Sequence, residues 1–228
     1  MDIREMAAQT RAVLFDIDGT LLDSMPVWMN IGERYMHFLE PSVYPCAPGT
    51  VTALDKVLFS MTFDEGCDYI RKYYHLSRSF ARVRQEITEM IARSYREEVP
   101  LKPGAARFLE ALDKRNIPMV LVSAGMPALA LPALQRLHVY PYFRKIFICD
   151  DYHTTKKEPL IYRKAADFLN VPPSACLVVE DIYTAVHTAH TAGFMTLAME
   201  DKASAADKEK IRREADLYAA QFPVIPDI

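Results

Sequence analysis

The sequence VLFDIDGTLLDS, residues 13–24, joins an apolar run to two carboxylates separated by one residue. The run before Asp16 is short and does not alternate, which is typical of a strand buried on both faces of a parallel sheet. Catalytic and ligand-binding groups of such sheets gather at the carboxyl ends of the strands, so Asp16 and Asp18 are candidate catalytic residues. Two buried carboxylates need compensation, and oxygen ligands select a hard cation. We therefore predict a Mg²⁺ site where this strand ends.

Four further apolar runs resemble the first one. Together the predicted strands cover residues 12–15, 119–122, 145–149, 176–179 and 195–198. Amphipathic helical spacing lies between them, for example over 105–115 and 160–170. This alternation predicts an α/β fold with a doubly wound parallel sheet.

The segment after the first motif breaks this alternation. Its patterns predict helices over residues 26–39, 50–60, 62–74 and 79–98, the third opened by a capping box of Thr62 and Glu65. We expect an α/β core formed by residues 1–24 and 100–228, with residues 25–99 inserted as an all-helical module. The tail after Glu200 reads as one charged helix and a Pro-containing end.

Composition favours a small-molecule function. The 228 residues are 50% hydrophobic with a net charge of -3, which excludes disordered, collagenous and disulfide-scaffold proteins. There is no large excess of positive charge for a nucleic-acid backbone or an anionic membrane. Cys149 and Cys176 lie in apolar runs and read as buried thiols of a reducing compartment. With no signal-peptide pattern at the N-terminus, we expect a cytoplasmic protein.

One uncharged stretch, residues 116–135, approaches the length of a membrane span. It contains Pro118, Pro127 and Pro132, and a Ser-Ala-Gly sequence at 123–125 in its middle. These residues favour a strand, a turn and a short helix over a continuous apolar helix.

Three further sites carry chemistry at predicted strand ends or in loops. Ser123 follows the second strand, where its hydroxyl and the next backbone N–H groups could hold a phosphate oxygen. Lys156 could balance an anionic nucleophile and a phosphoryl group. Glu180 and Asp181 close the fourth strand and could supply carboxylates to a metal ion. Each is weak alone, since such residues are common in turns and solvated loops.

Together these motifs resemble the haloacid dehalogenase superfamily, in the branch with a helical cap inserted after the first strand. The pattern D-x-D-G-T-L-x-D-S stands at 16–24, and V-V-E-D at 178–181 is followed by A-x-x-A-G at 189–193. P-x-x-P-G at 100–104 resembles the return from cap to core. The resemblance implies a Rossmann-like core, an active site between core and cap, and Mg²⁺ as cofactor.

The resemblance also implies a role for each acidic position. Asp16 would attack phosphorus to give an aspartyl-phosphate, and Asp18 would act as general acid and then general base. Mg²⁺ would be bound by Asp16, by the backbone carbonyl of Asp18 and by Asp181, with Glu180 beside it and reaching it through water.

Phosphoryl oxygens would be held by Ser123, the backbone N–H of Ala124 and Lys156, with Gly19 and Thr20 completing the loop. Lys156 is preferred to Lys157 because 156–162 matches the register Lys-x-x-Pro-x-Ile-Tyr of the family. Ala124 stands where many members have Asn or Ser, but its N–H is independent of the side chain.

Several reactions within the family remain as alternatives. Asp18 favours phosphoryl transfer over halide displacement, which needs no acid there. A phosphonate-cleaving relative would need a cap Lys, and Lys56 is the only Lys between residues 25 and 60. The main alternative is a sugar-phosphate mutase like β-phosphoglucomutase, although Trp28 stands where that enzyme has a His. A catalytically silent binding module is a further alternative.

The function predicted is a Mg²⁺-dependent phosphatase acting on a small phosphorylated metabolite, a sugar phosphate or a nucleotide. Candidate specificity residues in the cap are Trp28, Met29 and Tyr35. We expect no nucleic-acid or membrane partner, and a monomer or small homo-oligomer.

Overall fold

The computed structural model describes residues 1–44, 53–58 and 60–226. The chain divides into two compact units: Met1–Asp23 with Pro100–Ile228, and Ser24–Val99. We refer to the first as the core unit and to the second as the helical unit. Each is described separately below.

The core unit contains a six-stranded parallel sheet in the order β3-β2-β1-β4-β5-β6. The strands are β1 (Ala12–Phe15), β2 (Met119–Ser123), β3 (Phe143–Ile148), β4 (Cys176–Glu180), β5 (Met195–Met199) and β6 (Leu217–Ala219). Every residue of β1, β2, β4 and β5 is buried, which explains why their sequences do not alternate. The predicted α/β fold is confirmed, and its helices cover both faces of the sheet.

The helices of the core unit include the two predicted over 105–115 and 160–170, each to within one residue, and one at residues 3–9 that was not predicted. They are α1 (Ile3–Gln9), α7 (Ala105–Lys114), α8 (Pro127–Arg136), α9 (Leu160–Leu169), α10 (Tyr183–Thr191) and α11 (Lys208–Glu214). Ala12 and Leu14 share a buried cluster with Ile161 of α9. Phe15 points to the opposite face and meets Phe108 of α7 edge-on, with ring centroids 6.1 Å apart. Successive β1 residues therefore bury against helices on opposite sides of the sheet.

The helical unit contains α2 (Met25–Trp28), α3 (Ile31–Leu39), α4 (Ala53–Leu58), α5 (Phe63–Tyr73) and α6 (Phe80–Glu97). Val83, Ile87 and Ile91 of α6 are fully buried at four-residue spacing, as an amphipathic helix requires. The predicted capping box is present, because the Thr62 side chain accepts from the N–H of Glu65 while the Glu65 side chain accepts from the N–H of Thr62. The predicted helix over 50–60 is described only as α4, since residues 50–52 and 59 lie outside the described residues.

The structure corrects the sequence prediction at two places. The single helix predicted over 26–39 is two helices, because Asn30 adopts a left-handed conformation with φ 58 and breaks the hydrogen-bonding pattern. The tail contains, besides the predicted charged helix, a sixth strand, β6, which pairs with β5 and was not predicted. With only three residues and partial burial, β6 carries too little pattern for detection.

The uncharged stretch at 116–135 forms β2, a turn and most of α8, as predicted, with Pro132 inside the helix. Among the described residues, no helix has the length and apolar character needed to cross a membrane. Cys149 and Cys176 are buried free thiols, as expected from their surroundings.

Candidate active site

The site lies where the order of the strands in the sheet reverses. β1 is central, and the chain runs outward from it to β2 and β3 on one side before it crosses to β4 on the other. Such a switch point leaves a crevice at the carboxyl ends of the two neighbouring strands. Asp16 follows β1 directly, and β4 ends with Glu180 followed by Asp181. The topology therefore brings the two acidic motifs, more than 160 residues apart in the chain, to one place.

Three carboxylates converge in this crevice. Asp16, Glu180 and Asp181 each offer a ligand atom, these atoms all lie within 4.8 Å of one another, and all three residues are buried. Among these three and Lys156, three negative charges face one positive charge. Since buried charges need compensation, this excess fits a divalent cation. An all-oxygen donor set favours a hard ion such as Mg²⁺.

Lys156 is the cation beside the cluster. The residue is 8% exposed, and its Nζ contacts Asp16 Oδ1 and lies 2.5 Å from Glu180 Oε1. Burial acts to lower the pKa of this ammonium group, but the two carboxylates outweigh burial and raise it above its ordinary value. Lys156 therefore stays charged, whereas Lys157 is exposed to solvent.

The pKa values of Glu180 and Asp181 are raised, whereas the pKa of a carboxylate paired with a cation is ordinarily lowered. Burial, with the charge of Asp16, raises the pKa of Glu180 to about 7 against the opposing effect of Lys156. Burial and the charges of Asp16 and Glu180 raise the pKa of Asp181 well above its usual range. The ionised form of both carboxylates is therefore disfavoured, and a bound cation would stabilise it.

Hydrogen bonds fix the orientation of both β4 carboxylates. Tyr162 donates from its hydroxyl to Glu180 Oε1 at 2.9 Å, and Thr20 donates from Oγ1 to Asp181 Oδ1 at 2.9 Å. Tyr162 belongs to the motif around Lys156, but no role was predicted for it. Thr20, predicted to complete the phosphate loop, is fully buried and holds a carboxylate.

The loop after β1 is a tight turn that presents Asp18. Gly19 has a φ of +84, a conformation that favours glycine, and its N–H donates to the carbonyl of Leu22. Asp18 is partly exposed, unlike Asp16. A methyl group on Gly125 would lie 3.5 Å from Asp18 Oδ2 and 3.7 Å from Ser123 Oγ, so the turn after β2 lies beside Asp18.

Ser123 ends β2 and is buried, with its Oγ accepting from the N–H of Gly125 at 3.1 Å. Ala124, between them, is exposed. The structure thus gathers Asp16, Lys156, Glu180 and Asp181 at one point and sets Asp18 close to the Ser123 turn. Asp18 is not one of the three clustered carboxylates, and the ligand role of its backbone carbonyl stays a prediction.

The predicted specificity residues lie in the helical unit, and two of them are buried. Tyr35 is fully buried and donates to Glu86 Oε2 at 2.5 Å, and Met29 is 2% exposed. Trp28 is partly exposed, but its indole N–H donates to the hydroxyl of Tyr95 at 2.8 Å. The hydroxyl of Tyr35 and the N–H of Trp28 are therefore used inside the unit, and their specificity role stays a prediction.

Comparison with known proteins identifies the family. The sequence model of the haloacid dehalogenase-like hydrolases matches residues 10–193. The chain belongs to this family. Membership confirms the resemblance drawn from the motifs and shows that the protein is a hydrolase.

Named relatives cover most of the chain. A phosphorylated carbohydrates phosphatase of Thermotoga maritima is 27% identical over 80% of this chain and 81% of its own length. Hexitol phosphatase A of Escherichia coli is 28% identical over 83% of this chain and 82% of its own length. The crystal structure of β-phosphoglucomutase from Clostridium difficile superposes with a TM-score of 0.65 at 19% identity, covering 93% of this chain and 91% of that one. At this identity the structural likeness concerns the fold alone.

Proposed function

We propose that this haloacid dehalogenase-like hydrolase is a Mg²⁺-dependent phosphatase for small phosphorylated metabolites, in particular carbohydrate phosphates. The observation that carries the proposal is the buried ion pair of Asp16 with Lys156 inside a cluster that holds two further carboxylates. The substrate class is supported by the two relatives named as phosphatases of phosphorylated carbohydrates and hexitol phosphates.

Asp16 is proposed as the nucleophile. Lys156 contacts Oδ1, so one carboxylate oxygen is oriented by the ion pair while the other can approach phosphorus. Attack forms an Asp16 O–P bond as the bond from phosphorus to the ester oxygen breaks, which gives an aspartyl-phosphate. Water then attacks that phosphorus, inorganic phosphate leaves, and the Asp16 carboxylate is restored.

Asp18 is proposed to move the protons of both steps. Its carboxyl group would first donate a proton to the departing ester oxygen and then accept one from the attacking water. The partial exposure of Asp18 and its position beside the Ser123 turn support this role. The Ser123 hydroxyl, the N–H groups of the 123–125 turn and Lys156 would hold the phosphoryl oxygens.

Mg²⁺ would be held by Asp16 and Asp181 together with the backbone carbonyl of Asp18, with Glu180 beside it. When bound, the ion would neutralise charge that develops on the phosphoryl oxygens and the crowded carboxylates. Glu180 is tied to Lys156 and Tyr162, so we assign it mainly to orienting Lys156.

The experiment that tests this proposal is phosphate release from a panel of phosphorylated metabolites, with hexitol and hexose phosphates beside nucleotides. Each is measured with Mg²⁺ and with chelator, for the wild type and for Asp16→Asn. We expect Mg²⁺-dependent release from carbohydrate phosphates that disappears in the variant. Product isomerisation without phosphate release would instead favour a mutase, and an inert but folded wild type would favour a binding module.

A further inference from the structure

A second charged group lies beside the carboxylate trio and has no part in the proposed chemistry. Asp201 lies two residues beyond the end of β5, which is the paired neighbour of β4, and Asp181 directly follows β4. Asp201 pairs with Lys102, whose backbone N–H donates to the carbonyl of Leu21. The residue before Leu21, Thr20, donates from Oγ1 to Asp181 Oδ1, so the pair lies at the loop that holds Asp181. A fourth buried carboxylate would therefore add to an already excessive negative charge.

Lys102 compensates this carboxylate. Its Nζ lies 2.5 Å from Asp201 Oδ2, and the two side chains are 7% and 2% exposed. The other oxygen, Oδ1, accepts from the backbone N–H of Ala203 at 2.8 Å. Both oxygens of Asp201 are thus engaged on the side of Lys102 and the 201–203 turn.

The remaining contacts of Lys102 keep its ammonium group in place. Nζ also donates to the carbonyl oxygen of Glu200 at 3.2 Å and lies 3.6 Å from Asp23 Oδ1. The backbone N–H of Lys102 donates to the carbonyl of Leu21 at 2.9 Å, which ties it to the loop that carries Asp18. Lys102 is therefore a fixed cation, held by carboxylates and carbonyls of two segments, residues 21–23 and 200–201.

We propose that Lys102 is a positioning residue that binds Asp201 and cancels its charge, and thereby sets the affinity of the Asp16, Glu180 and Asp181 cluster for a divalent cation. The inference rests on the cation site proposed above. With Lys102 in place, the cluster has the charge of its own three carboxylates and Lys156. Without it, the field of Asp201 acts on the same cation uncompensated.

Two roles of the Lys102–Asp201 pair, a purely structural one and one that acts through charge, predict different cation affinities in the variants. If the pair only stabilises the fold, removal of either partner loosens the site, and both single variants bind the cation more weakly. If the charge matters, Lys102→Met adds net negative charge and tightens cation binding, whereas Asp201→Asn leaves an unpaired ammonium group and weakens it. The double variant removes both charges and restores the wild-type balance.

The test is a titration of the full chain with Mn²⁺ alone, without substrate, with free Mn²⁺ followed by electron paramagnetic resonance. We expect the Kd to fall at least about threefold in Lys102→Met, to rise at least about threefold in Asp201→Asn, and to return close to the wild-type value in the double variant. Lys114→Met is the matched control, because the Lys114 pair with Glu110 on α7 is exposed. Its Kd should not change.

Weaker binding in both single variants, or no change in either, would overturn the inference. If circular dichroism shows that Lys102→Met does not fold, Asp201→Asn and the double variant decide: the Kd must rise in the first and return in the second. A folded wild type that binds no Mn²⁺ would refute the cation site itself. That result is distinct from a wild type that binds Mn²⁺ with an affinity indifferent to Lys102.

Discussion

The two units each bury a carboxylate beside basic side chains, and the two sites differ in charge balance. In the helical unit, Glu86 is 5% exposed and accepts hydrogen bonds from Tyr35 and Arg82, with Arg78 at 3.6 Å. In the core unit, Glu180 shares Lys156 with Asp16 and lies beside Asp181.

The pKa values record this difference. Burial acts to raise the pKa of Glu86, but Tyr35 and the arginines outweigh burial and lower it below its ordinary value. The pKa of Glu180 is raised to about 7, mainly by burial. A buried carboxylate with enough partners serves packing, whereas buried carboxylates in excess of cations indicate a site built for a ligand.

The largest difference between the units is expected when a basic residue beside each buried carboxylate is replaced, Lys156 in the core unit and Arg82 in the helical unit. Lys156→Met leaves Asp16 and Glu180 without their buried partner and should lower the free energy of unfolding by about 3–5 kcal/mol. Arg82→Met should cost about 1 kcal/mol or less, because Arg82 is 59% exposed and Glu86 keeps Tyr35 and Arg78. Urea unfolding followed by circular dichroism compares them, and similar losses would contradict the distinction drawn between the two carboxylates.

A divalent cation should affect only the core unit. Mg²⁺ at a hundred times its Kd should stabilise the folded protein by about 2.7 kcal/mol. Asp181→Asn should abolish most of this gain, and Glu86→Gln should leave it intact. Thermal unfolding with Mg²⁺ and with chelator measures it, and equal gains in both variants would place the cation elsewhere.

Tyr35→Phe tests whether the hydrogen bond to Glu86 in the helical unit serves stability alone. Loss of the hydroxyl removes a buried hydrogen bond to a charged acceptor and should destabilise the protein by about 1.5–3 kcal/mol. Because that hydroxyl faces Glu86, KM for a carbohydrate phosphate should stay within about twofold of the wild type. A large rise in KM with unchanged stability would instead support the predicted specificity role of Tyr35.

The pH dependence of stability is gradual, and it should have opposite signs in the two units. A carboxyl with a raised folded pKa binds its proton more tightly when folded, so for Glu180 stability should increase as pH falls from about 7 toward its unfolded value, by at most about 1.4 kcal/mol per pH unit. The lowered pKa of Glu86 gives stability that is present above its unfolded value and is lost as pH falls through the folded pKa.

Melting temperatures between pH 8 and pH 3 in chelator test this pair of slopes. Glu180→Gln should flatten the upper part of the curve and Glu86→Gln the lower part. The same upper slope in wild type and Glu180→Gln would assign it to another group.

Much of the fold was predictable from apolar residues alone. Buried parallel strands are short apolar runs without alternation, and amphipathic helices repeat apolar residues with a period of 3.6. Strands β1, β2, β4 and β5 were located to within one residue at each end, since apart from Thr196 their residues are apolar up to the strand ends. The break at Asn30 and the short strand β6 were missed, because a single left-handed residue and a three-residue pairing leave almost no pattern.

Site residues were predictable where the motif places them after a strand. Asp201 lies two residues beyond β5, with Glu200 between, so the signal that marks Asp16 and Asp181 does not mark it. The partners could not be predicted: Lys102 lies 99 positions from Asp201, and Tyr162 lies 18 positions from Glu180. Nothing local in the chain relates residues so far apart.

The sequence by itself determined the family, the α/β sheet and the acidic residues at the strand ends, because strand burial and motif order are local properties of the chain. Only the tertiary structure decided the balance of charge. Lys156 is shared by Asp16 and Glu180, Lys102 pairs with Asp201, and Glu86 accepts from Tyr35 and Arg82. Asp181 is left with an excess of negative neighbours. Charge balance depends on distances across the sheet and between helices, and those distances exist only once the chain has folded.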